Sequence, residues 1–231
     1  MKMKKFGTDY GCFFYPDDLP HLDKDSIIYC IGAGEDISHD LAIAHQLGSC
    51  VHIFDPTPKA ITHVNYIKNL LDHKDIIRPS PCFGGGDPNY LNKIISTRVD
   101  TNKIHMYNYG VYIEDKHVDF YFPDNPNYVS CSIEPGMKGT KCISVPVKKL
   151  STIMKELGHS KIDLLKMDIE GTECDVLEQM VQDKIFPLYL AVEFDMMVKD
   201  ASRCEKVINI LKTNGYSQIH KQGREYTFVK M

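Results

Sequence analysis

Three short apolar runs in this chain end in carboxylates. Val51-His52-Ile53-Phe54 leads into Asp55, residues 162–167 lead into Asp168 with Glu170 two places on, and residues 188–192 lead into Glu193 and Asp195. Runs of this length and composition read as strands. Acids at the carboxyl ends of parallel strands project into the crevice where open α/β sheets bind ligands. Carboxylates grouped there can accept a proton from a hydroxyl, raise one another's pKa, or recruit a hard cation that acidifies the hydroxyl. Each also has a plainer role. Glu170 and Glu173 stand where a helix begins and suit its dipole, and Asp55 opens the turn Asp-Pro-Thr-Pro.

A second feature lies upstream. Residues 27–31, Ile-Ile-Tyr-Cys-Ile, are a buried strand entering the turn Gly32-Ala33-Gly34-Glu35-Asp36. Gly32 and Gly34 let the backbone turn sharply and approach a nucleotide-like cofactor, and Asp36 suits as the cap of the next helix. The third glycine of the dinucleotide fingerprint is replaced by Ile37, so an ordinary strand-to-helix turn fits the stretch equally well. Asp55 follows Gly34 by about 20 residues, the spacing at which a nucleotide-binding unit places an acid on ribose hydroxyls.

Positioning these groups takes an alternation of strands and helices. Leu41, Ile43, Ala44 and Leu47 form a helical face ended by Gly48, and Ile61, Val64, Ile67, Leu70 and Leu71 mark a second helix. Residues 104–107 form a third strand, which delivers Asn108 and Tyr109 to a place where polar and aromatic groups meet an adenine. Residues 118–122 and 143–147 form an antiparallel excursion, and the polar loop 125–139 between them is expected to overhang the site and choose the substrate. Helices at 150–157, around Val176, Leu177 and Met180, and over 201–211 come next, and a terminal antiparallel hairpin spans 216–220 and 226–229. The pattern is that of a doubly wound α/β fold. The glycine-rich stretch 78–90 reads as a loop and lacks the Lys-Ser or Lys-Thr pair of a phosphate loop. Residues 1–25 form an N-terminal segment in which 6–14 are either a lid over the cofactor or a strand packed on the surface; residues 26–231 form the single main domain.

Composition narrows the field. Of 231 residues 25% are charged and 43% apolar, with a net charge of -4, which argues against a surface built mainly for nucleic acid. The basic start Met-Lys-Met-Lys-Lys continues without an apolar core, so it is no secretory signal, and no run approaches membrane-spanning length. The eight cysteines, at 12, 30, 50, 82, 131, 142, 174 and 204, include no Cys-x-x-Cys pair. They read as thiols in a reducing cytoplasm rather than as a zinc site.

Taken together, the motifs resemble the FkbM family of S-adenosylmethionine-dependent O-methyltransferases. The likeness rests on residues 163–173, Asp-Leu-Leu-Lys-Met-Asp-Ile-Glu-Gly-Thr-Glu, on Val192-Glu193-Phe194, on Gly32-Ala33-Gly34, on Asp55 in Phe-Asp-Pro-Thr-Pro, and on Tyr10-Gly11. It implies a Rossmann-like class I methyltransferase fold, a mostly parallel seven-stranded sheet with an antiparallel last strand. It also implies methyl transfer to a hydroxyl, often of a sugar, here in a glycan or glycolipid precursor. The implied cofactor is S-adenosylmethionine, bound by Tyr10, Gly11, Gly32, Gly34, Asp36 and Asp55, with Asn108 and Tyr109 near the adenine.

Asp168, Glu193 and Asp195 then form the reacting centre, Asp168 nearest the methyl. Many relatives place a histidine after Val-Glu-Phe, where this chain has Asp195, and Asp195 is read as the base in a metal-free site. A magnesium ion held by the acids is the alternative. The rival classes are a nicotinamide (NAD) dehydrogenase, disfavoured by Ile37, and a non-catalytic binding protein that keeps the fold. The sequence fixes neither the sugar nor an oligomeric state.

Overall fold

The uninterrupted apolar runs form the middle of a sheet because both of their faces are covered. The computed structural model describes residues 2–73, 83–122, 124, 131–133 and 140–231. The first half of the chain gives β1 (Met3–Phe6), β2 (Phe13–Pro16), β3 (Ile28–Ile31), α1 (Ser38–Leu47), β4 (Val51–Phe54), α2 (Pro58–His73), α3 (Tyr90–Thr97) and β5 (Ile104–Tyr107). The second half gives β6 (Gly110–Val111), β7 (Lys116–Tyr121), β8 (Cys142–Lys148), α4 (Leu150–Leu157), β9 (Leu164–Met167), α5 (Glu173–Gln182), β10 (Tyr189–Glu193), α6 (Ala201–Thr213), β11 (Tyr216–Gln222) and β12 (Glu225–Lys230).

Seven strands pair in the order β11-β12-β10-β9-β3-β4-β5. The pairs from β10 to β5 are parallel, while β12, the last strand, is antiparallel to both of its neighbours. Every residue of β3, β4 and β9 is buried, as their sequences require of central strands. Successive side chains of a strand point to opposite faces, and two apolar clusters follow from that. Ile28 and Cys30 pack with Leu41 of α1, Val64 and Ile67 of α2, and Ile94 of α3. Tyr29 and Ile31 pack with Ile153 of α4, Leu177 of α5 and Val207 of α6. The expected antiparallel excursion is a three-stranded sheet, order β6-β8-β7.

One expectation needs correction. The stretch 78–90 was read as loop throughout, but its described end tightens into a short 3-10 turn over Phe83–Gly86 and is followed at once by α3, whose Tyr90 and Ile94 are core. The N-terminal segment forms packed strands, one of its two readings from the sequence. β1 and β2 pair as a hairpin whose Phe6, Phe13 and Tyr15 are fully buried beside Ile28 and Tyr189, while Lys4 and Lys5 face solvent and the tip turns towards the cavity. Of the loop 125–139 only residues 131–133 are among those described, and its selecting role lies otherwise outside them.

Candidate active site

At the end of β3 the chain turns through Gly32, φ +81°. Its N–H donates to the Phe54 carbonyl at 3.0 Å, and a Cβ there would fall 1.8 Å from the carbonyl oxygen of Asp168. Both the left-handed backbone and the approach of β9 demand glycine. Asp55, delivered by β4, is spent on the same turn. Its Oδ2 accepts from the N–H groups of Ala33 (2.9 Å) and Gly34 (3.1 Å), and its Oδ1 from the N–H (2.8 Å) and Oγ1 (2.7 Å) of Thr57. The carboxylate therefore closes the glycine turn and opens the turn into α2.

Asp36 lies one residue before the cap it was expected to form. The cap position of α1 is Ile37, and Asp36 Oδ1 accepts from the N–H of Ser38 at 2.8 Å. Its Oδ2 accepts from the Thr8 hydroxyl, while Thr8 N–H donates to Ser38 Oγ at 2.8 Å, so the hairpin tip is clamped to the helix start. Burial raises the Asp36 carboxyl, and the bonds from Ser38 and Thr8 pull it back. Tyr10 and Gly11 follow in the tip and line the cavity beneath it.

That cavity, about 630 Å³, opens at the carboxyl ends of β3, β4, β9 and β10. Its size suits a small-molecule ligand. Asn108 and Tyr109 are not in its wall. The chain bends after β5 so that β6 can pair with β8, and this brings Gly110, Val111 and Tyr112 to the cavity instead. Asn108 is exposed, and the Tyr109 ring packs on Phe54 and Tyr107 with Lys148 Nζ 4.6 Å above it.

The structure does bring together the acids of neighbouring strands. Asp168 follows β9, Glu193 ends β10, and Asp195 begins the short turn after it. Arg224, in the β11–β12 turn, spans two of them: it lies 2.8 Å from Glu193 Oε1 and forms an ion pair with Asp195 Oδ1. Lys166, buried in β9, donates to the carbonyls of Ile31 and Gly32 and stands 3.8 Å from Asp168 Oδ2. Burial pulls its ammonium down, but Asp168, Asp40, Cys30 and Glu193 outweigh it and the net shift is upward.

These cations do not neutralise the site. Among the described residues, ten acids line the cavity against Lys166 and Arg224. Burial, then Asp168, pushes Glu193 up to about 7 against the pull of Arg224. Burial, then Glu170, Glu193 and Asp168, does the same to Asp195, again to about 7. Asp168 is raised by burial as well, against Lys166. Such groups change protonation near neutrality, as proton-transfer catalysts must. Glu170 sits at φ +58° with its carbonyl accepting from Ser132 Oγ, and Glu173 is fully buried behind it with Oε1 on the N–H of Gly171 at 2.7 Å.

Arg224 was missed in the sequence, and Lys166 was not read as part of the site. Lys166 had a local signal, as the one cation inside an apolar strand two residues before an acid. The only signal for Arg224 was its place in a turn beside the acid-bearing strand.

The family model for the methyltransferase FkbM domain matches residues 27–217. No curated protein matches the chain. Among the described residues, no helix is long and apolar enough to cross a membrane.

Proposed function

Because the chain belongs to the methyltransferase FkbM family, we propose that it transfers the methyl group of S-adenosylmethionine to a hydroxyl, and that the acceptor is a sugar in a glycan or glycolipid precursor. The observation that supports this most is the sign of the cavity, whose described residues include ten acids against two cations. A sulfonium donor bears a positive charge and no phosphate. A dinucleotide brings a diphosphate that needs free amides in the glycine turn, and here Ala33 and Gly34 already give theirs to Asp55. An acidic wall likewise disfavours the phosphodiesters of a nucleic acid.

In this reading the strand order and its two apolar faces are the doubly wound class I arrangement. Gly32 and Gly34, with Tyr10 and Gly11 of the hairpin tip, would hold the donor, Asp55 and Asp36 would act by keeping the turn and the tip in shape, and the tip is its cover. The donor supplies a methyl group already activated as an electrophile. The protein has then to align a hydroxyl and take its proton. Glu193 and Asp195, held side by side by Arg224, are placed for proton removal, and Asp168 at the end of the adjacent strand is placed to orient the acceptor. The buried thiols of Cys174 and Cys204, 3.7 Å apart and unbridged, suit a reducing compartment, and we assign the reaction to the cytoplasm.

Calorimetric titration with S-adenosylhomocysteine and with NADH tests the donor. Binding of the first alone is expected, and binding of NADH alone refutes the reading. Incubation with radiolabelled donor and a panel of saccharides and RNA tests the acceptor; labelled RNA beside unlabelled saccharides removes the sugar from the proposal.

A further inference from the structure

We propose that Asp168, Glu170 and Asp195 form a binding site for a hard divalent cation, in place of the metal-free centre expected from the sequence. One carboxylate oxygen from each of the three lies within 4.8 Å of the others. Oxygens on opposite sides of a calcium-sized ion with bonds of 2.3–2.6 Å are separated by about 4.6–5.2 Å, so the three can share one ion without rebuilding the backbone. The donors are all carboxylate, the chemistry of magnesium, manganese or calcium rather than of zinc or copper.

A second observation points to the same place. Asp195 lines the cavity, is only 8% exposed, and has a buried Oδ2 with no hydrogen-bond partner among the described residues. A buried carboxylate oxygen left unpaired is costly. The nearby cations are committed elsewhere: Arg224 pairs with Asp195 through Oδ1 and with Glu193, and Lys166 is held by the carbonyls of Ile31 and Gly32. A divalent cation seated on Oδ2 would satisfy it. The site rests on the methyl-transfer reading only for its use, which is to polarise the acceptor hydroxyl while Glu193 alone takes its proton, Asp195 being a ligand of the ion; its coordination is independent of that reading.

Chelator-treated full-length protein titrated with Mn²⁺, followed by the loss of the free-ion paramagnetic resonance signal, tests the site. One Mn²⁺ per chain is expected, displaced by Mg²⁺ or Ca²⁺. Glu170→Gln and Asp195→Asn should each weaken it at least about tenfold. Glu35→Gln removes the same charge from the cavity wall outside the trio and should leave the affinity within about twofold. An equal loss in Glu35→Gln would show diffuse attraction and overturn the site, as would absence of Mn²⁺ binding by folded protein. Parallel titration with S-adenosylhomocysteine separates the two proposals. Its binding without Mn²⁺ removes the ion and leaves methyl transfer, and the reverse result removes methyl transfer and leaves the ion.

Discussion

Two clusters of ionisable groups share the central sheet, and the fold treats them in opposite ways. Around the cavity, the carboxyl groups of Asp168, Glu193 and Asp195 are raised, and buried oxygens of Glu173, Asp195 and Glu225 have no partner among the described residues. On β3, β4 and β5, Tyr29, His52, His105 and Tyr107 meet His159 in an array that answers its own needs. The Tyr29 hydroxyl lies 2.8 Å from His159 Nδ1, the Tyr107 hydroxyl 3.0 Å from His52 Nδ1, and the rings of His52 and His105 stack at 5.0 Å. Burial lowers all three imidazoles, His52 to about 4, so the array is neutral at physiological pH. Polar groups that satisfy one another need no ligand. Those left unsatisfied in a cavity wall mark where one belongs.

The largest effect is expected where the sheet itself forms the cavity. Gly32→Ala forces a Cβ to within 1.8 Å of the Asp168 carbonyl at a positive φ. It should weaken S-adenosylhomocysteine binding about 100-fold and destabilise the protein by about 3 kcal/mol. Urea denaturation and calorimetry check both, and wild-type values in both would break the link between turn and cavity.

Next comes Glu173, fully buried and raised to about 8, first by burial and then by Asp195 and Asp168. A carboxyl whose folded pKa lies above its unfolded value contributes fully below about 4.5, and that contribution is lost as pH rises through 8. Glu173→Gln keeps an acceptor for Gly171. It should therefore exceed the wild type in stability by on the order of 2 kcal/mol at pH 9, with the gap closing towards pH 4.5. A less stable variant at pH 9 would show that the strain in this cluster is not electrostatic.

The histidine array should respond to acid instead. A base with a lowered folded pKa leaves stability intact above about 6.5 and removes it as pH falls towards 4. His52→Phe should flatten this loss, by about 1 kcal/mol between pH 6.5 and 5, without altering cofactor affinity. Any change in affinity would erase the distinction between the clusters. The smallest effect belongs to Asn108→Ala, for which S-adenosylhomocysteine affinity should change less than about twofold.

The central strands, the glycine turn and the convergence of Asp168, Glu193 and Asp195 were legible because apolar runs announce buried strands and neighbouring parallel strands deliver their ends to one crevice. What failed was whatever depends on pairing across distance. Asn108 and Tyr109 were misplaced because the bend after β5 is set by β8, a later segment whose pairing leaves no local pattern. Arg224 was missed for the same reason: only the pairing of Glu193 with Glu225 reveals that its turn lies over the acids. Asp55 stood at the right spacing, but spacing does not tell which donors reach a carboxylate, and here they are the protein's own amides. α3 was hidden behind the glycines and prolines before it.

The pairing of β3 with β9 has a consequence for the chain while it is being made. Lys166 meets the carbonyl of Ile31 across 135 residues of sequence, and at roughly 5–20 residues per second that separation takes roughly 7–27 s to synthesise. For that interval one edge of the most apolar strand in the protein is open on the ribosome. Such an edge is a template for a strand of another nascent chain. Slow translation between residues 32 and 163 lengthens that exposure.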